Sequence, residues 1–226
     1  MDGMGIIKKG DKAMQHDFRY VKKEEAEKVK KELLDIIHEV QNAVREDFTF
    51  QYEFIGSSAR NMITYDALSN QGFDFDVNIH VNDENEEYGA EEIRRKIRLA
   101  LNQVVGMYGY KDCEDSTSVL TIKSIDYINS RIRHSCDFAI VYDCEDGRQQ
   151  YIRFNKNQKS YTWEYRPKGY QNLERKVDWL KKKKLWEDLR KYYIKKKNEN
   201  INPDKKSRAI FAEAVHEMCQ KNGYKG

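Results

Sequence analysis

Asp74 and Asp76 are separated by one residue in the stretch GFDFDVNIHV, residues 72–81. Apolar residues alternate with them, which is the pattern of a β-strand. In a strand, residues two apart share a face and lie about 6.5–7 Å apart. Two carboxylates so placed repel by on the order of 2 kcal/mol at an effective dielectric near 20. A divalent cation turns that cost into a ligand set, and carboxylate oxygens are hard donors suited to Mg²⁺ or Mn²⁺. A solvent-facing strand with two incidental acids is the other reading of the pair alone. Asp137 is the single acid in the apolar interior of SCDFAIV, and a charge in a central strand needs a partner. A third metal ligand would supply one; an ion pair with Arg131 or Arg133 is the competing explanation.

Upstream, EFIGSSARN ends an apolar strand at Gly56 and puts Ser57 at the start of a short helix. Glycine permits close backbone approach, and a helix start offers unpaired amides and positive partial charge to a phosphate. Arg60 and Asn61 follow on that helix and could reach phosphate or simply face water.

These residues need elements to hold them. Apolar steps of three and four predict a helix over 23–45 and another over 90–107. Alternation predicts strands at 48–55, 73–81, 118–124 and 149–154, and a nearly all-apolar, hence central, strand at 134–143. Residues 56–68 read as a turn and a short helix. After about residue 160 strand signals stop. Residues 170–197 read as helix, Pro203 breaks it, and 206–223 reads as a last helix ending near Gly223. The expected layout is therefore α+β: a mixed sheet flanked by helices over 1–160, then a helical region over 161–226.

The chain has 226 residues and a net charge of +3, unevenly spread. Residues 165–208 hold 16 Lys/Arg against 6 Asp/Glu, an excess of +10 that leaves −7 for the remainder. That segment could meet anions, nucleic acid included, or could be a solvated helix face. The longest apolar run is Phe138–Tyr142, far short of a membrane span, and the N-terminus has no apolar leader core. Four cysteines without a CxxC pair form neither a disulfide framework nor a zinc site. They read as reduced thiols in a cytoplasm, with no membrane partner.

FIGSSARN, FDFDVNIH and CDFAIVYD together resemble the nucleotidyltransferase superfamily with the DNA polymerase β palm fold. The nearest flavours are the oligoadenylate synthases, the bacterial cyclic-oligonucleotide synthases and small stand-alone nucleotidyltransferases. The resemblance covers roughly residues 30–155. One departure is the gap of sixteen residues between Ser57 and Asp74, slightly longer than usual in that superfamily. The resemblance implies that Gly56, Ser57 and Ser58, with Arg60, hold the phosphates of an NTP. It implies that Asp74 and Asp76 bind the triphosphate-bound metal, and that Asp137 completes a second site and helps activate an attacking hydroxyl. Two Mg²⁺ or Mn²⁺ ions would act per site. Tyr161 would stack on a base and Lys176 would contact phosphate, although core packing is a frequent fate of the aromatics in YTWEY. The acceptor stays open: a nucleotide, a small molecule, an RNA end or a protein side chain. A nucleotide sensor without turnover and a nucleic-acid-binding protein using 165–208 are the rival readings.

Overall fold

A computed structural model describes residues 16–83, 87–167, 169–170 and 172–226. They divide into two compact units, Phe18–Leu173 and a second made of Glu174–Gly226 together with residues 16–17.

In the first unit, helix α1 (Lys23–Val44) buries Val29, Leu33, Ile36, Ile37, Val40 and Val44, the stripe that its spacing predicts. Helix α3 (Ala90–Val104) buries Ile93, Ile97, Leu101 and Val104 in the same way, and a 3-10 turn at Val105–Tyr108 finishes it. Both stripes share one core with Phe73, Phe75, Val77, Ile79 and Val81, the alternate residues of strand β4 (Phe73–Asn82). The helices thus take one face of the sheet, and Asp74 and Asp76 fall on the other.

The sheet runs β2 (Thr49–Ile55), β4, β7 (Arg131–Asp143), β6 (Leu120–Asp126) and β5 (Glu114–Asp115). β4 and β7 are parallel and central; the remaining pairs are antiparallel. The end of β7 also pairs with β8 (Gln149–Asn155), which pairs with β9 (Ser160–Tyr165). β1 (Phe18–Tyr20) and β3 (Thr64–Asp66) form a separate two-stranded ribbon.

Three expectations are corrected. The sheet continues past residue 160: YTWEY is the strand β9, because Tyr161 and Trp163 pack on the sheet's own core. The helix expected in 56–68 is only one turn, α2 (Gly56–Ala59), after which the chain turns extended again as β3. The long helix expected over 170–197 is broken in the second unit into α4 (Leu173–Lys182) and α5 (Trp186–Glu199), with Lys184 in a left-handed conformation at φ 60° between them. Lys181–Lys184 therefore fall at the end of a helix.

The second unit closes with α6 (Ser207–Lys221), which packs on α5 through the edge-to-face rings of Tyr193 and Phe211, 5.7 Å apart. All four cysteines are free. No helix among the described residues is long and apolar enough to cross a membrane.

Candidate active site

Parallel pairing of β4 with β7 places Asp74 opposite Ser135 and Asp76 opposite Asp137. The antiparallel pairing of β6 continues both rows, with Lys123 opposite Ser135 and Thr121 opposite Asp137. Glu114 on β5 then lies opposite Thr121. On the other side, Ile55 at the end of β2 is opposite Asp76, so the Gly56 turn adjoins that row. All three aspartates thus lie on the sheet face away from α1 and α3.

Each carboxylate has its own surroundings. The Ser135 hydroxyl donates to Asp74 at 2.7 Å. The Thr121 hydroxyl donates to Asp137 at 2.5 Å. Arg131, one of the cations considered for Asp137, instead pairs with Asp126 at 3.2 Å. Asp76 is pushed up to about 6, first by burial and then by the charges of Asp137 and Asp74, with Arg60 pulling the other way. Asp137 is also raised, mainly by burial, against the Thr121 hydrogen bond. A carboxylate held that far above its ordinary range is one whose negative charge lacks compensation.

Gly56 explains where Asp76 sits. Its φ is +67°, and a Cβ there would lie 2.5 Å from the Asp76 Oδ2. The carboxylate fills the space a side chain would need, so glycine is required twice over. Gly72, at the approach to β4, has a different reason: a Cβ would lie 1.8 Å from the carbonyl oxygen of Arg133, where the start of β7 passes against it. The Ser58 hydroxyl is buried and donates to the Ile55 carbonyl at 2.8 Å, which ties the turn to the strand. The Met62 amide donates to the Ser57 carbonyl and closes the turn. A single turn has little macrodipole, so any anion here meets individual amides and Arg60.

The donor chemistry suits a hard divalent cation, but the side chains are not drawn together around one. Among the described residues no three His, Cys, Asp or Glu side chains form a group that could hold a metal ion. Asp74 and Asp137 are turned to their hydroxyl donors and Asp76 to Gly56. The three share a face and lie in adjacent rows.

No protein-family model and no curated protein matches the sequence. Solved structures do. The cyclic AMP-GMP synthase DncV of Vibrio cholerae, in complex with the linear intermediate pppA(3′,5′)pG, superposes with a TM-score of 0.58 over 87% of this chain and 67% of that one, at 13% identity. DncV with nonhydrolyzable GTP gives 0.60 over the same shares at 12% identity. The STING-associated c-di-GMP synthase CdnE of Capnocytophaga granulosa gives 0.57 over 92% of this chain and 64% of that one, at 16% identity. The fold is that of the polymerase-β-like nucleotidyltransferases. At these identities the likeness is one of architecture, and the chain spans about two thirds of the length of those enzymes.

Within this fold, the expected base contact of Tyr161 lies elsewhere. Tyr161 donates its hydroxyl to Asp115 at 2.8 Å, and the Arg94 guanidinium lies 4.5 Å from its ring centre. Asp115 is opposite Leu120, on the helix-covered face, so Tyr161 is on the far side of the sheet from the aspartates. Lys176 belongs to the second unit, where its Nζ is 3.2 Å from His216 Nδ1. Asn78, His80 and Lys123 also stand on the aspartates' face of the sheet, and of these sequence reasoning passed over Asn78 and Lys123. Buried Asn78, two residues beyond Asp76, accepts from Arg166 at 2.9 Å. His80 Nδ1 is 2.6 Å from Asp143. Lys123 pairs with Glu114 at 2.5 Å. Even spacing along β4 is the available signal for Asn78, as it is for His80; nothing local marks Lys123.

Proposed function

We propose that the chain is a metal-dependent nucleotidyltransferase that moves a nucleoside monophosphate from an NTP to an acceptor hydroxyl. The observation that carries this reading is the pair of rows joining Asp74, Asp76 and Asp137 on the sheet face opposite α1 and α3, beside a glycine turn and without any ion pair among the described residues. The fold supports it, since DncV and CdnE are nucleotide synthases by name.

Asp74, Asp76 and Asp137 would hold the divalent cations, Mg²⁺ or Mn²⁺, two per site. Bound there, the ions would neutralise charge on the phosphoryl oxygens. The amides around Gly56 and Ser57, with the Arg60 charge, orient the leaving phosphates. Asp137, nearest the β6 side, takes the proton of the acceptor hydroxyl. A bond forms between the acceptor oxygen and the α-phosphorus, the α–β bridging bond breaks, and pyrophosphate leaves with the electron pair. Residues of the catalytic row do the positioning: Thr121 fixes Asp137 and Ser135 fixes Asp74. Cytoplasmic location is part of the same proposal.

The test is incubation with each NTP plus Mg²⁺ or Mn²⁺, with pyrophosphate release measured and products separated by mass. Release by the wild type and not by Asp76→Asn supports the reading. Nucleotide binding without release in any metal supports a sensor. Absence of both binding and release removes the assignment.

A further inference from the structure

Two cations bracket the carboxylates from opposite sides. Arg60 follows the Gly56 turn beside β2 and β4, and its charge acts on Asp76. Lys123 stands on β6, opposite Ser135, and its charge acts on Asp137. In-line displacement puts the leaving and attacking oxygens on opposite sides of the transferred phosphorus. With the leaving phosphates at the Gly56–Arg60 end, the attacking hydroxyl comes in over β6. Thr121, Lys123 and Glu114 line that approach, and Lys123 is the cation among them.

We infer that Lys123 is the specificity-determining residue for the acceptor, selecting a hydroxyl carried close to a phosphate group, while Glu114 holds its ammonium until the acceptor's phosphate replaces the carboxylate. This rests on the nucleotidyl-transfer reading above. Lys123 is suited to the exchange. Its side chain is 27% exposed, enough to be reached, and its partner Glu114 is 55% exposed, so the pair is weakly held. A diagonal cross-strand ion pair is by itself ordinary sheet chemistry. Here it adjoins the row of Asp137, on the sheet face opposite α1 and α3. A neutral acceptor would leave the Lys123–Glu114 pair intact and gain nothing from it.

The experiment uses the full chain with the donor side saturated by nonhydrolysable ATP and Mg²⁺. AMP and GMP are titrated against adenosine and guanosine by calorimetry, in the wild type, Lys123→Met and Glu114→Gln. The wild type should bind the monophosphates more tightly than the nucleosides. Lys123→Met should weaken the monophosphates about tenfold to a hundredfold, the range of one charge-assisted hydrogen bond, and leave the nucleosides and the ATP analogue unchanged. Glu114→Gln should tighten the monophosphates by freeing the ammonium. Equal monophosphate binding by wild type and Lys123→Met overturns the assignment, as does wild-type indifference to the phosphate. Failure of the parent reading shows separately, as a wild type that does not bind the triphosphate. The monophosphates are then titrated alone, and equal binding by wild type and Lys123→Met again rejects the role of Lys123.

Discussion

The aspartate face of the sheet and the C-terminal helices both carry concentrated charge, and they treat it in opposite ways. In the helices the lysines are largely answered within the unit. Lys196 lies 2.8 Å from Glu217 and 3.4 Å from Glu213, and Lys205 lies 2.5 Å from Glu213. Lys181 and Lys183 sit over the rings of Trp186 and Trp179, at 5.0 and 5.8 Å. Lys181 and Lys182 also occupy the last turn of α4, where a helix favours cations. On the sheet, three carboxylates are met by two hydroxyls and no ion pair, and one of them is held near 6. Charge density made residues 165–208 conspicuous, but compensation separates the two regions. Charge answered within the fold contributes to stability; charge left unanswered and half-buried costs it.

The most drastic way to break that contrast is to delete one unanswered charge. Asp76→Asn should lose about 10³-fold in turnover, several kcal/mol of transition-state stabilisation at about 1.4 kcal/mol per decade. It should also melt higher than the wild type without metal, because repulsion from Asp74 and Asp137 is relieved. A metal-free melting temperature below the wild type would mean that the carboxylate is answered after all. Gly56→Ala should lower both quantities, since the new Cβ meets Asp76 and the backbone is left-handed, a conformation costing about 1–2 kcal/mol outside glycine. The two variants therefore move turnover together and stability apart, which thermal melts and pyrophosphate release read directly.

Titration sharpens the comparison. Asp76 binds its proton more tightly folded, at about 6, than unfolded, at 3.8. Its contribution to stability is full below 3.8 and is lost as pH rises through 6. The metal-free protein should gain on the order of 2 kcal/mol between pH 7 and pH 4 from this group, at about 1.4 kcal/mol per unit, before other groups are counted. Denaturant melts of wild type against Asp76→Asn isolate it, and parallel pH curves would contradict the assignment. The smallest effect belongs to the answered region. Lys181→Glu with Lys182→Glu should cost about 0.3–1 kcal/mol each through the α4 terminus, and leave turnover as it was. A fall in anion binding that deepens at low salt would instead return the basic run to function.

The sequence makes the central elements readable because they bury regular stripes. α1, α3, β2, β4 and the core of β7 all follow periods of 3.6 or 2, and the aspartates stand out as interruptions of an apolar pattern. The short strands β1, β3 and β5 bury little and carry no period. β9 was misread because Tyr161 and Trp163 look alike in a strand or a helix, and only pairing with β8 decides. The break between α4 and α5 hides in a run of four lysines with no glycine or proline to mark it. The site shows the same division. Asp74, Asp76 and Gly56 are visible within a local motif, whereas the partners Ser135, Thr121 and Lys123 are set by cross-strand register, which no local spacing encodes.

That register has a kinetic side. Asp74 and the Ser135 that holds it are 61 residues apart along the chain. β2–β4 and β6–β7 each join strands that are nearer in sequence, but the parallel β4–β7 contact must close a loop that contains α3, β5 and β6. Closure of long loops is the slow part of building a sheet. The aspartate rows therefore come into being only when the two halves of the sheet dock, so recovery of the proposed pyrophosphate release on refolding should follow the slowest phase and not the early formation of helix.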